Sequence, residues 1–305
     1  MSKRLISLTH SETEKLTKQQ LLDAIALSEG RVLAGESVCT TAPLLNDVTN
    51  AEAVANMSAD ILILNMFDVD NPVIKGLPEC EPMETIRLLK KLTGRVIGIN
   101  LEPAEIGTGT ESLWAMSQGR VANKENALKA VEMGVDILVI TGNPGNGVTN
   151  KGIIDAVKEI NEAVGDKAII ITGKMHASGS ISEAGENIVS KEDVQSFIDA
   201  GADVVMLPAP GTIPGITTDF VHDLISYIHS LQKLAMTSIG TSQEGSDTDT
   251  IKQIALMSKM AGSDIHHIGD SGYVGMALPE NIMAYSIAIR GVRHTYHKMA
   301  QSINR

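Results

Sequence analysis

Aromatic residues are scarce in this chain: Phe, Tyr and Trp together account for 3% of its 305 residues. Any core must therefore be built from Val, Ile, Leu, Met and Ala, and the hydrophobic content of 43% leaves ample material for one. Cysteine is nearly missing. Cys39 and Cys80 form no CxxC and no paired spacing, which excludes a disulfide framework and a cysteine zinc site and fits a reducing compartment. No stretch approaches the length of a membrane span, and the N-terminal "MSKRLISLTHSETEKLTKQQ" lacks the apolar run of a signal peptide. A soluble cytoplasmic protein is expected. Excess positive charge is missing too: the formal net charge of −12 argues against nucleic acid or an anionic membrane as partner. A small anionic metabolite held in a local pocket is the expected partner, and self-association into a homo-oligomer is compatible with the composition.

What the chain does have is a repeat. Short apolar runs recur as "RVLAGESV" (31–38), "DILILNMF" (60–67), "RVIGINLEP" (95–103), "DILVITGNP" (136–144), "KAIIITGKMH" (167–176), "DVVMLPAPG" (203–211), "KLAMTSIGTS" (233–242) and "DIHHIGDSG" (264–272). Continuous apolar runs of this length suit parallel strands buried on both faces. The even-numbered runs open on a small residue and then Asp, whereas the odd-numbered ones open on Arg31, Arg95, Lys167 and Lys233. Four matches in alternation mark a strand–helix–strand–helix unit repeated four times.

The segments between the runs read as helices. "KENALKAVEMG" (124–134) and "KEDVQSFIDAG" (191–201) carry apolar residues at three- and four-residue spacing and stop at glycine. "DTDTIKQIALMSKMAG" (247–262) opens on good N-cap residues. A last helix begins near Pro279 and runs into Arg290, Arg293, His294, His297 and Lys298, cations that oppose the dipole at a helix end. Eight such units predict an α/β protein, a single (β/α)8 barrel domain over 1–305. Residues 1–30, with the helical "TEKLTKQQLLDAIALSEG" (13–30), are expected to close the bottom of the barrel. An open doubly wound sheet is disfavoured because no GxGxxG follows the first strand.

In this fold the working residues lie at the C-terminal ends of the strands. That rule selects Glu36, Asn65, Asp68, Asp70, Asn100, Glu102, Thr141, Asn143, Lys174, His176, Thr237, His266, His267 and Asp270. Lys174 in "ITGKMHASG" stands at the end of a buried strand, where desolvation would suit it to general-base or Schiff-base work. His176 is two residues on, on the same side of an extended chain, and Glu102 is a candidate acid/base partner. An ion pair of Lys174 with Glu102 or Asp203 is the structural alternative.

The loops after strands 7 and 8 usually hold phosphate in this fold. Gly240, Thr241, Ser242 and Gly269 would offer backbone N–H groups and hydroxyls there. Asn100, Asn143, His267 and Asp270 complete the expected substrate contacts. Asp68 and Asp70 in "NMFDVDNP" are alternate carboxylates able to bind Mg²⁺. By the repeat, His266 matches Leu62, Leu138 and Val205, while His267 matches Ile63, Val139 and Met206. Strand neighbours point to opposite faces, so one histidine should face the barrel interior and the other the helix layer.

The stretches "VITGNPGNGVTN", "TGKMHASG" and "DIHHIGDSGYVGMALPENIMAYSIAIRGVRHTY" resemble a bacterial TIM-barrel family of undetermined activity whose members are labelled phosphoenolpyruvate phosphonomutase-like. The label implies Mg²⁺ and a mobile loop with a Lys-Lys-Cys-Gly-His-like motif after strand 4. Residues 141–150 contain no cysteine, so no mutase catalytic residue is carried over.

Three functions follow as expectations. The first is lyase, aldolase or isomerase chemistry on a small anionic, phosphorylated metabolite, needing no cofactor, with Lys174, His176 and Glu102 as the catalytic group. The second is Mg²⁺-dependent, mutase-like C–C or C–P chemistry on Asp68, Asp70 or Glu102. The third is a metabolite-binding regulatory protein without catalysis.

Overall fold

Eight parallel strands close on themselves in sequence order, with the last pairing with the first. The computed structural model describes residues 3–103, 116–142, 148–176, 181 and 184–305. The strands are β1 (Val32–Val38), β2 (Ile61–Asn65), β3 (Val96–Leu101), β4 (Ile137–Ile140), β5 (Ile169–Gly173), β6 (Val204–Pro208), β7 (Leu234–Ile239) and β8 (Ile265–Ile268). Before β1 come the single turn α1 (His10–Thr13) and α2 (Lys18–Ala26). The barrel helices are α3 (Asn50–Asn56), α4 (Thr85–Thr93), α5 (Lys124–Met133), α6 (Asn150–Val164), α7 (Lys191–Ala200), α8 (Thr218–Ser230), α9 (Thr248–Ala261) and α10 (Pro279–Ala300). This is the predicted (β/α)8 barrel with an extra N-terminal helix.

The repeated Asp has a structural cause. Each strand-opening Asp reaches back to the preceding strand and accepts its backbone N–H: Leu33 N to Asp60 and Ile97 N to Asp136, both at 2.9 Å, Ile170 N to Asp203 at 2.9 Å and Ala235 N to Asp264 at 2.8 Å. Every one of these carboxylates also has a cationic or histidine partner: Arg290 for Asp60, Lys90 for Asp136, Lys18 for Asp203 and His229 for Asp264. The motif pins register at the bottom of the barrel four times over. It is architecture, remote from the mouth.

Two apolar layers form the core. Between strands and helices lie residues such as Leu33, Leu62, Ile97, Leu138, Ile170 and Val205. Inside the barrel lie Val32, Ala34, Ile61, Ile63, Val96, Ile137, Val139, Ile169, Ile171, Val204, Met206, Met236 and Ile265. Leu5, Ile6, Leu8, Leu21, Ala24 and Ile25 join the inner cluster, so the segment ahead of β1 plugs the barrel from below.

Local signals place most helix ends as expected. Asp247 caps α9 by accepting from Asp249 N and Thr250 N, and α5 stops at Gly134 with φ of 104°. The last helix departs from the expectation. Gly291, at φ 75° and ψ 168°, breaks α10, and two members of its basic cluster are turned inward. Arg290 and Lys298 are buried against Asp60 instead of standing as exposed cations on the helix dipole.

A polar layer at the barrel mouth

The inner face of the barrel changes character near the C-terminal strand ends. Two residues beyond the apolar plug, the inward positions become Glu36 after Ala34, Asn65 after Ile63, Ser238 after Met236 and His267 after Ile265; Asn100 follows Gly98 in the same way. Strand alternation puts these side chains on one face, directly above the plug. Glu36 is 4% exposed, His267 2% and Ser238 0%, so this is a buried polar layer that must satisfy itself.

It does so through Glu36. One Glu36 carboxylate oxygen accepts from His267 Nε2 at 2.9 Å, and the other accepts from Asn100 Nδ2 at 3.1 Å. Because Nε2–H faces the carboxylate, a neutral His267 presents Nδ1 as acceptor to the Ser238 hydroxyl, 2.7 Å away. Ser238, His267 and Glu36 thus form a continuous hydrogen-bonded chain across β7, β8 and β1. Beside it, Asn65 Nδ2 donates to Asp270 at 2.8 Å across β1, and Gly272 N donates to the other Asp270 oxygen at 2.7 Å. Met66, Ser242 and Ser271 are all held at positive φ just after β2, β7 and β8. Each such residue stores roughly 1–3 kcal/mol of strain, and strain of this kind gathers at functional sites.

The neighbouring titratable groups are shifted by the same burial. His176 is held below the ordinary imidazole value by desolvation, with the Glu36 charge opposing. It is therefore a neutral, base-competent imidazole at physiological pH. Asp270 is raised by desolvation and then by Glu36; Glu244 is raised by desolvation and then by Asp270 and Glu36.

The histidine pair divides as strand geometry requires. His267 faces the interior, while His266 lies in the helix layer, with Nε2 donating to Gly30 O at 3.1 Å and Nδ1 facing the Tyr285 hydroxyl at 3.2 Å. Lys174 directly follows β5 and is 2% exposed. Asp203, considered as its partner, lies at the opposite end of the barrel on Lys18 and Lys233. Glu102 pairs with Arg120 at 2.6 Å. Thr237 faces Ser263, and Thr141 donates to Gly173 O, both as structural contacts. Asn143 lies outside the described residues.

Several of the donors expected to cradle an anion after β7 and β8 are engaged within the fold. Gly269 N–H is spent on Ile239 O at 2.9 Å, and the Thr241 hydroxyl on Thr212 O at 2.8 Å. Ser242 N–H serves the carboxyl of Glu244, a residue the strand-end rule overlooked because it follows β7 by five positions. Gly240 is glycine for packing: a Cβ there would overlap the Met175 sulfur. Gly240→Val should push Met175 off the floor of the mouth and cost about 1–3 kcal/mol in thermal unfolding. Met175→Ala in the same chain should recover part of that loss, a coupling that substitutions at separate sites would not show.

Asp68 and Asp70 are also engaged locally. Asp68 accepts from the backbone of Asp70 at 2.8 Å and of Asn71 at 3.1 Å, and Asp70 pairs with Lys129. Among the described residues no group of three or more His, Cys, Asp or Glu side chains could hold a metal ion. Among the same residues, no helix is long and apolar enough to cross a membrane.

The molecule is thus a (β/α)8 barrel whose C-terminal mouth is floored by a buried acid–histidine–hydroxyl network. It belongs to the family described as Domain of unknown function (DUF7916), whose model matches residues 6–305. No curated protein matches the chain. Among the solved structures that resemble it are two at low identity. One is a protein from Burkholderia cenocepacia J2315, provisionally assigned as a lyase/mutase, at 15% identity and a TM-score of 0.48 over 86% of this chain and 84% of that one. The other is thiamine phosphate pyrophosphorylase from Pyrococcus furiosus, at 10% identity and a TM-score of 0.46 over 86% of this chain and 97% of that one.

Proposed function

We propose that the protein is a proton-transfer enzyme of the lyase or isomerase type, acting on a small polar metabolite at the barrel mouth. One observation carries this reading: a buried carboxylate, Glu36, links His267 and Asn100 where the repeat would otherwise continue an apolar core. Burying a carboxylate costs several kcal/mol even when it is paired, so a barrel built only for stability would continue with aliphatic side chains. Glu36 and His267 set the charge of the floor, Ser238 passes a proton along it, and the half-buried His176 takes or returns a proton at its edge.

Deuterium incorporation tests the reading. The protein is incubated in D₂O with a panel of small keto acids, hydroxy acids, amino acids and phosphorylated sugars, and C–H exchange or product is read by NMR. At least one compound should exchange or turn over, and Glu36→Gln should slow that reaction by about 10²–10⁴-fold with the fold intact by circular dichroism. Tight binding with no exchange across the panel would instead support a regulatory binding protein.

Lys174 supports a second route. Its burial at the end of β5 suits an imine with a carbonyl substrate. Borohydride should then trap a covalent adduct on the parent protein, and Lys174→Ala should lose it. An adduct that persists in Lys174→Ala would exclude this lysine.

A further inference from the structure

Two carboxylates at the mouth lack, among the described residues, the cationic or histidine partner that the buried Glu36, Asp60 and Asp203 have. Buried charges are retained where they are paired. Asp60 has Arg290 and Lys298, Asp203 has Lys18 and Lys233, Glu102 has Arg120, and Glu36 has His267. Glu244 and Asp270 have no ion pair among the described residues. Glu244 is only 6% exposed, and its Oε2 has no hydrogen-bond partner among the described residues. Asp270 is half-buried and receives only neutral donors, Asn65 Nδ2 and Gly272 N.

These two groups share one place. A Cβ built on Gly245 would lie 3.6 Å from Ser271 Oγ, so the turn after β7 runs beside the turn after β8. The carboxyl of Glu244 feels the charges of both Asp270 and Glu36. The Glu244 turn is fixed from behind by Asn281, whose Nδ2 donates to Glu244 O at 2.9 Å and Ser246 O at 2.7 Å. A desolvated carboxyl that takes backbone N–H but no cation, close enough to a second acid to feel its charge, is suited to a cationic donor.

We propose that the β7–β8–β1 side of the mouth binds the ammonium group of an amine-bearing substrate, seated between Glu244 and Asp270 above Glu36. An ammonium offers three N–H donors and no acceptor, which matches two carboxyls that take only neutral donors among the described residues. An inorganic cation fits less well, since no described side chains there form a metal-binding group. The raised carboxyls of Glu244 and Asp270 agree with a site that lacks its counter-charge when empty. The inference rests on the mouth being the site of action, and it narrows the substrates to amines, amino alcohols and amino acids.

Ethanolamine is the probe, compared at neutral pH and constant ionic strength with glycerol, acetate, inorganic phosphate, and sodium and potassium chlorides. Ethanolamine should raise the unfolding temperature of the parent protein by binding the native state, and the controls should not. Titration calorimetry should show ethanolamine affinity reduced on the order of tenfold or more in Glu244→Gln and in Asp270→Asn, the loss of one charge-assisted hydrogen bond. Two variants are used so that poor folding of either leaves the other informative.

No shift with ethanolamine, or a shift that survives both substitutions, would overturn the proposal. An equal response to sodium or potassium would assign the site to an inorganic cation and also defeat it. Glu36-dependent deuterium exchange is measured separately, so the catalytic reading and the ammonium site can each fail alone.

Discussion

Arg290→Met is expected to destabilise the protein by about 3–5 kcal/mol, the usual cost of removing one partner from a buried ion pair. Arg290 leaves α10 one residue before the break at Gly291, and its guanidinium turns under the barrel. There it pairs with Asp60, donates to Ser58 O, to Arg31 O at 3.1 Å and to Ser286 Oγ at 2.8 Å. Asp60 is 1% exposed and also accepts Leu33 N, so the arginine joins the last helix to the start of β1 and β2.

Methionine would fill much of the volume but leave Asp60 with Lys298, 3.7 Å away, as its remaining ion-pair partner among the described residues. Urea unfolding at neutral pH measures the loss. Adding Asp60→Asn should restore part of it, because the penalty is an unpaired charge and not a missing contact. A loss below about 1 kcal/mol, the range of an exposed pair, would show that water reaches this cluster.

Acid should unfold the protein through His266. Burial, followed by the Lys259 and Arg290 charges, drives its pKa down to about 3, although the hydrogen bond to Gly30 O opposes the shift. Gly30 O can only accept, so Nε2 carries the proton and Nδ1 accepts from the Tyr285 hydroxyl; the neutral ring is satisfied at both ends. In the unfolded chain the ring titrates near its ordinary value of 6.5.

Between those two values the unfolded state binds more protons, so stability is full above the upper one and falls as pH drops. The slope is about 1.4 kcal/mol per pH unit for one such group. Over two units that amounts to about 3 kcal/mol, a large part of the net stability of a typical domain. His266→Gln should flatten this acid limb by one proton in a series of urea titrations against pH. An unchanged slope would show that the acid sensitivity lies in other groups. Glu244 acts with the opposite sign, since its raised value makes stability fall as pH rises through the carboxylate range. Glu244→Gln should remove that loss.

Several site features were legible in the sequence because local chemistry determines them. Asp247 announces a helix start by its own side chain, and Pro279 stands at the first turn of α10. The adjacent histidines of "DIHHIG" could be assigned to opposite faces by strand alternation, but choosing between faces required the register of β8 against β1, which sets His267 beside Ala34, two residues before Glu36. Glu36 was visible as a strand-end residue, yet nothing near it in sequence marks it as the hub: its partners come from β3 and β8, 64 and 231 positions away. Glycines gave a signal that two physical causes can produce. Gly240 and Gly269 look like ligand-facing glycines, and they are small because Met175 and Ile239 O stand where a side chain would go.

By itself the sequence determined the barrel, its eight strands and its four-fold alternation. Those depend on which residues are apolar and on an Asp that each second strand must place against its neighbour, and both patterns are written in the order of residues. Only the tertiary structure decided which polar side chains meet. Closing the sheet brings β8 beside β1, so Glu36 and His267, far apart in the chain, become a 2.9 Å pair. The same closure brings the turn of Glu244 beside that of Asp270 and leaves both without an ion pair among the described residues, because a carboxyl's partner is fixed by distance in space and not by separation along the chain.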